Sequence, residues 1–202
     1  MKKRNTMNDD PIQQIRQKII DHTTNNAQTA RGYQPLFAAS PHAQIAIIGQ
    51  APGIHAQTSG KPWDDASGLR LMSWLGVSEA EFRDETIFAH IPMDFYYPGK
   101  GVSGDLPPRK AFAPLWHQHI FDLMPQVTLT ILVGRYAQAY YLVHNRHTTL
   151  TDTVRNYQEY LPDYFPIVHP SPLNFRWHAK HEWFEQDVLP ALKYEVRKII
   201  AK

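Results

Sequence analysis

The chain has 202 residues, of which 43 % are hydrophobic, 20 % charged and 12 % aromatic, an ordinary globular mixture with enough apolar material for one sizeable core. Its formal net charge of +2 excludes a broadly basic surface, so any patch that attracts nucleic acid has to be local. The lack of any cysteine excludes disulfides, iron–sulfur clusters, cysteine zinc sites and a thiol nucleophile together.

No apolar run approaches the length of a membrane span, and the basic start Met1-Lys2-Lys3-Arg4-Asn5 leads into no apolar stretch. Neither a spanning helix nor a secretory signal is expected, and a cytoplasmic, monomeric protein without a membrane partner is the default. The chain reads as a single domain over residues 1–202, with a helical lead-in over about 1–40.

Asp10-Pro11 places a good cap before a proline that tolerates the first helical turn, and Ile12, Ile15, Ile19 and Ile20 follow at helical spacing. The polar stretch from His22 to Gly32 reads as a loop. Ile45-Ala46-Ile47-Ile48 is a short buried strand that runs into a Gly/Pro-rich loop reaching about Ser67. Leu69, Met72 and Leu75 mark a helix that Gly76 terminates, and Ser78 with Glu81 has the spacing of a capping box. Thr86 to Pro92 reads as a second strand and Pro98 to Pro108 as a long loop. A helix containing Leu115, Ile120 and Leu123 comes next. Val127 to Val133 is the clearest strand in the chain, and Gly134 turns it into a helix through Ala137, Tyr140 and Tyr141. Phe165-Pro166-Ile167-Val168 leads into a proline-bracketed loop, and Pro190 should break or kink the helical region that ends the chain.

Strand, loop and helix repeated in this way predict a three-layer α/β/α sandwich around a mostly parallel central sheet of about four strands. In such sheets ligands sit beyond the carboxyl ends of the strands, which directs attention to the loops after Ile48, Ile91 and Val168.

The first of these is Gly49-Gln50-Ala51-Pro52-Gly53, continuing to Gly60-Lys61-Pro62-Trp63-Asp64-Asp65-Ala66-Ser67-Gly68. Its glycines permit close backbone approach to a ligand and its prolines stiffen the turn. Trp63 either presents a flat face to a flat ligand or fills core. The other is His169-Pro170-Ser171-Pro172-Leu173-Asn174. Two prolines hold a stiff bend that begins with a histidine suited to proton or hydrogen-bond donation near neutral pH, continues with a phosphate-binding hydroxyl, and ends in a leucine unusual for a solvent-facing turn.

Together these segments resemble the motifs of the uracil-DNA glycosylase superfamily. Gly49-Gln50-Ala51-Pro52-Gly53 is similar to the segment after that family's first strand, Gly60-Lys61-Pro62-Trp63 to the Gly-x-Pro-aromatic stretch behind it, and His169-Pro170-Ser171-Pro172 to the loop after its last strand. The likeness runs from about Ile45 to Asp187 and is closest to the branch that usually carries an iron–sulfur cluster; without cysteines this chain resembles a cluster-free relative, with no cofactor expected.

The resemblance implies a DNA glycosylase that flips a base out of the duplex and hydrolyses its N-glycosidic bond, with damaged or mismatched DNA as substrate and free nucleobase as product. It implies that His169 hydrogen-bonds the developing oxyanion of the departing base. It also implies that Gln50, Ala51, Pro52 and Gly53 line the base, that Trp63 stacks on it, and that His90 stands where the family reads the uracil edge. Leu173 would fill the vacated space as a wedge, with Ser171, Asn174 and Arg176 on the DNA backbone. The family's carboxylates are missing at Gln50 and Ala51. Asp64 and Asp65 are near enough in sequence to compensate, although acids just before a helix are more often caps. Two alternatives stay open: a member of the fold that binds DNA or a nucleobase without cutting it, and a hydrolase of free nucleosides.

Lys100, Arg109 and Lys110 frame a loop able to follow a phosphate backbone, and His178, Lys180 and His181 extend the basic rim. His178 and His181 are three apart and His117 and His119 two apart, so neither pair has the usual spacing of metal-binding helices, and no metal site is expected.

Overall fold

A computed structural model describes residues 10–102, 104–144 and 147–201; the basic residues 1–5 and Lys202 lie outside them. Four short strands make the sheet: β1 Ile45–Ile48, β2 Phe88–His90, β3 Leu129–Val133 and β4 Tyr164–Ile167. They are all parallel, in the order β2-β1-β3-β4, with Ile47 level with His90 on one side and Ile131 on the other. Pro166 is tolerated because β4 is an edge strand, where one face of the ladder has no partner to lose.

Each strand is buried on both faces, as a parallel sheet between helices requires. Ile45, Ile47, Phe88, Ile131 and Phe165 pack on α4 (Ala66–Leu75), α5 (Glu79–Arg83) and α10 (Leu189–Ile200). Ala46, Ile48, Ala89 and Leu132 point the other way, toward α1 (Pro11–Asp21), α6 (Phe112–Phe121) and α7 (Gly134–Tyr141). These two packed cores make the three-layer α/β/α sandwich, and the period-2 alternation of strand side chains divides residues between them.

Local signals fix several boundaries. Asp10 caps α1 by accepting from the Ile12 amide, and Ile12 and Ile19 are its buried residues. Gly76 ends α4 in the left-handed region at φ 67°, and Ser78 and Glu81 form a reciprocal capping box on α5. Elsewhere tertiary context prevails. The stretch expected as a loop from His22 contains a 3-10 turn, Thr23–Asn25, and α2, Asn26–Thr29, and the loop expected after β1 contains α3, Ile54–Ser59; α8, Leu150–Arg155, and α9, Phe175–His178, are the other short helices among the described residues. Leu69 and Leu115 face solvent rather than core. Pro190 does not break the final helix: it sits in the first turn of α10, directly after a π-helical turn, Phe184–Val188, that absorbs the missing amide.

The lead-in is fastened rather than loose. The Arg16 guanidinium donates to the carbonyls of Pro35 (2.6 Å) and Phe37 (3.0 Å) and lies 4.1 Å from the centroid of the Phe37 ring.

Candidate active site

The loops after β1, β2 and β4 meet at the carboxyl edge of the sheet. The β1 and β2 loops are joined there by hydrogen bonds from the amides of Met93 and Asp94 to the carbonyls of Gly49 (2.9 Å) and Gln50 (3.2 Å). Between them lies a cavity of about 60 Å³ lined by Gly49–Gly53, Pro62, Trp63, Asp65, His90, Pro92 and His169, among others. It adjoins a wider groove whose rim carries Lys100, Asp105, Arg135, Ser171, Leu173 and Asn174.

Trp63 is held unusually. It is the one described non-glycine residue with positive φ, at 58°, a conformation that costs energy and persists only where the surroundings enforce it. The enforcement is visible. Arg83 donates to the Pro62 carbonyl, the indole edge lies so close to Gly49 that a Cβ there would come within 2.7 Å of it, and Gly68 makes room for the Trp63 backbone. Gly49 and Gly68 therefore admit the indole and its main chain, not a ligand. Of the two glycines that line the cavity, Gly53 is the open one, with Asp65 Oδ2 and Asp105 Oδ2 3.9 and 4.0 Å from a built Cβ.

His169 faces Trp63 with ring centroids 5.9 Å apart and planes inclined at 38°. The two rings share the cavity, but a third ring needs about 3.5 Å of clearance on each side. A base sandwiched between them does not fit; a base can lie on one face with the other ring at its edge. The Ser171 amide donates to His169 Nδ1 (3.2 Å), so the proton of the neutral ring belongs on Nε2. Burial pulls the His169 pKa below its ordinary value, and the Asp65 carboxylate opposes that shift without cancelling it. A neutral imidazole with a free Nε2–H is an electrophilic hydrogen-bond donor.

The adjacent acids separate. Asp64 turns away from the cavity to His55, with its Oδ2 3.6 Å from Nδ1, and a hydrogen bond from Ser59 lowers its pKa. Asp65 lines both cavity and groove. Its Oδ1 caps α4 by accepting from the Gly68 amide (2.9 Å), while Oδ2 faces Gly53. The capping and site roles thus fall on two oxygens of one carboxylate, and Asp65 replaces Asp64 as the acid at the cavity.

Other expected residues divide similarly. Gln50 lines the cavity and groove, with its amide reaching the Leu106 carbonyl at 3.5 Å, and Ala51, Pro52 and Gly53 line both spaces too. Leu173 is 81 % exposed at the groove, and Phe175, two residues further on, is 61 % exposed. The Ser171 hydroxyl oxygen accepts from the Leu173 amide and the Asn174 amide donates to the His169 carbonyl at 2.7 Å. Asn174 is accordingly a brace for the His169 loop rather than a free arm. Arg176 is exposed, its guanidinium 5.6 Å from the Phe175 ring centroid.

The basic frame differs from expectation. Arg109 does not track solvent: its guanidinium grips Asp94, which is 1 % exposed, at 2.6 and 2.8 Å, and also donates to the Thr24 carbonyl and Asn25 Oδ1. Lys100 pairs with Asp105 at 3.7 Å across a small antiparallel bridge. Arg135 and Tyr136, beyond β3, border the groove instead. Their signal was Gly134 at φ 79° after the clearest strand, a fourth strand end that the rule about carboxyl edges covers equally well.

Residues 37–193 match the sequence profile of the Uracil DNA glycosylase superfamily, a range that takes in every strand and every lining residue of the cavity but Leu36. The chain belongs to the uracil-DNA glycosylase superfamily. This member departs from the iron–sulfur branch of the superfamily in its donor set: a cluster takes cysteine thiolates, and the sequence contains none. Among the described residues no three His, Asp or Glu side chains converge as metal ligands would, and no helix is long and apolar enough to cross a membrane.

Two buried imidazoles give this superfamily member an expected sensitivity to acid. His90 and His117 are held neutral by burial, with pKa values pulled down to about 4; His117 donates from Nε2 to the Pro92 carbonyl (3.0 Å) and accepts from the Tyr141 hydroxyl (2.7 Å). Unfolded histidine takes up its proton near pH 6.5, so the unfolded chain binds more protons as pH falls from 6.5 to 4. Stability is full above pH 6.5 and declines toward pH 4, by on the order of 3 kcal/mol per imidazole. Urea unfolding at pH 7 and pH 5 checks this: the midpoint should drop markedly, and an unchanged midpoint rejects it.

Proposed function

We propose that the protein is a DNA glycosylase that flips out uracil or another deaminated or mismatched base and hydrolyses its N-glycosidic bond. The observation that carries this reading is the juxtaposition, in one cavity, of a donor imidazole (His169), a carboxylate (Asp65) and an indole wall (Trp63), opening to a groove with an exposed apolar tip at Leu173.

Bond cleavage leaves positive charge on the sugar and negative charge on the base. His169 Nε2–H stabilises the base, and the Asp65 carboxylate stabilises the sugar cation or orients the attacking water. Flipping costs a few kcal/mol, which about 1–3 kcal/mol from stacking on Trp63 and burial of Leu173 in the vacated stack offset. Ser171 and Arg135, which border the groove, hold the flanking phosphates in this reading. The protein acts in the cytoplasm as a monomer with no cofactor.

Incubation with oligonucleotides containing uracil, hypoxanthine or xanthine, followed by alkali, should give strand breaks at the lesion. No break with any of them at stoichiometric protein rejects the proposal. Asp65→Asn keeps an oxygen able to cap α4 and should lower the single-turnover rate by about 10²-fold or more, whereas Asp64→Asn should leave it within about two-fold. The absence of carboxylates at Gln50 and Ala51 favours a second reading, binding without cleavage. In that case Asp65→Asn changes nothing, while Leu173→Ala still weakens salt-sensitive binding to lesion DNA, by about 10-fold if the burial of one apolar tip is lost.

A further inference from the structure

A second space lies at the opposite, amino end of the sheet. It measures about 460 Å³, within the range of small-molecule sites. Thr130 of β3 and Tyr164 of β4, which stand level in the ladder, form its floor, and Phe121 of α6 with Tyr140 and Tyr141 of α7 form aromatic walls. The Tyr141 wall is fixed. Its hydroxyl donates to His117 Nδ1 (2.7 Å) and His117 Nε2 donates to the Pro92 carbonyl (3.0 Å), so neither nitrogen of that ring is left for a ligand. Thr130 lies on the same side of β3 as Leu132, the side toward α6 and α7. The residue is 6 % exposed, and among the described residues its hydroxyl has no hydrogen-bond partner; the exposure that remains opens on this space.

The charge around this space has one sign. The Asp163 carboxylate lines it and makes no hydrogen bond or ion pair among the described residues; burial raises the pKa of the neighbouring Tyr164 hydroxyl, and the Asp163 charge adds to that rise. Gln118, also on the wall, donates to a second carboxylate, Asp122, at 2.7 Å. Helices α6 and α7 both end here, at Phe121 and Tyr141, and carboxyl ends of helices carry partial negative charge. No Lys or Arg stands among the described lining residues, and the faces of tyrosine rings attract cations. We propose that this space binds a small organic cation, a primary amine whose ammonium group donates to the Thr130 hydroxyl and the Asp163 carboxylate and whose apolar body lies on the tyrosines. An ammonium has three donors and no acceptor, which suits two free acceptors. They sit at neighbouring backbone positions, the Thr130 amide donating to the Asp163 carbonyl at 2.8 Å. An anionic ligand meets like charge throughout. The inference is independent of what the cavity at the carboxyl edge holds.

Compounds that share one skeleton and differ in charge test this: 4-phenylbutylamine, 4-phenylbutanol and 4-phenylbutyrate, titrated to millimolar concentration into the full ¹⁵N-labelled chain at neutral pH and low salt. The amine should bind about 10-fold or more tightly than the alcohol, and the carboxylate more weakly than either. The amides that shift should be those of Thr128, Thr130, Asp163, Tyr164 and the end of α7. Asp163→Asn and Thr130→Val, each close to its parent in shape, should remove most of the amine's advantage while leaving alcohol binding largely unchanged. Equal binding of amine and alcohol, tighter binding of the carboxylate, shifts confined to the cavity around Trp63, or no binding of any of the three overturns the proposal. Should a variant fail to fold, as judged by circular dichroism, the ranking of the three compounds on the unaltered protein, with its map of shifted amides, still decides.

Discussion

His169→Ala is expected to reduce base release from lesion DNA by about 10²–10³-fold, the usual loss when one donor to a developing oxyanion is removed. The fold should survive, because the bond that braces this loop runs from the Asn174 side chain to the His169 main-chain carbonyl and is untouched by the substitution. The pH dependence separates a donor from a general acid. Burial places the His169 pKa below its ordinary value, so the ring stays neutral, with its Nε2–H intact, as pH falls from 8 through 6.5. Single-turnover rates of the unaltered protein should be flat over that range. A rate that rises with protonation around pH 6.5 identifies an imidazolium as the active form and rejects the neutral donor; a His169→Ala rate within a few-fold of the parent rejects the role altogether.

Gly68→Ala should be the most damaging small substitution in the site region. An added Cβ would overlap the Trp63 carbonyl oxygen and stand 2.8 and 2.9 Å from the Trp63 carbonyl carbon and Cβ. These are backbone or near-backbone atoms that cannot swing aside, and Trp63 already sits at φ 58°. Overpacking of this kind typically costs about 1–3 kcal/mol, occasionally more, at about 2–4 °C of Tm per kcal/mol for a chain of this size. Because the strain has to be relieved by moving the indole, base binding should be lost with it. Gly53→Ala, whose new methyl meets nothing closer than 3.9 Å, should be far milder. Thermal melts followed by tryptophan fluorescence compare the two, and equal Tm values would show that the Trp63 turn is not wedged as described.

The parts legible in the sequence are those decided locally. A left-handed glycine after an apolar period, a serine three residues before a glutamate and a run of β-branched residues each act over a few positions, which is why the Gly76 terminus, the α5 cap and the core of β3 are where the pattern puts them. The motif loops after β1 and β4 converge because parallel strands deliver their carboxyl ends to one edge. What was not legible depends on direction. Neither spacing nor composition distinguishes Asp64 from its neighbour Asp65, and only the turn at Trp63 decides which acid faces the cavity. The role of Arg109 depends on Asp94, fifteen positions away, and on Asn25, on the far side of β1 and β2 in sequence. The resemblance puts His90 at the base edge; that its Nε2 is engaged by the Phe82 carbonyl, eight residues earlier, follows from packing that the sequence does not display.

The grip of Arg109 also bears on how the chain tolerates trimming. One guanidinium ties the buried Asp94 to the carbonyl of Thr24 and the side chain of Asn25, so a stretch of polypeptide that contributes nothing to the walls of the cavity is moored to the strap leading from β2 to the overhanging Lys100–Asp105 bridge. Cutting back the amino terminus past Asn25 would leave that arginine half-engaged and the strap slack, and the damage would surface at the entrance to the groove, far along the sequence from the cut.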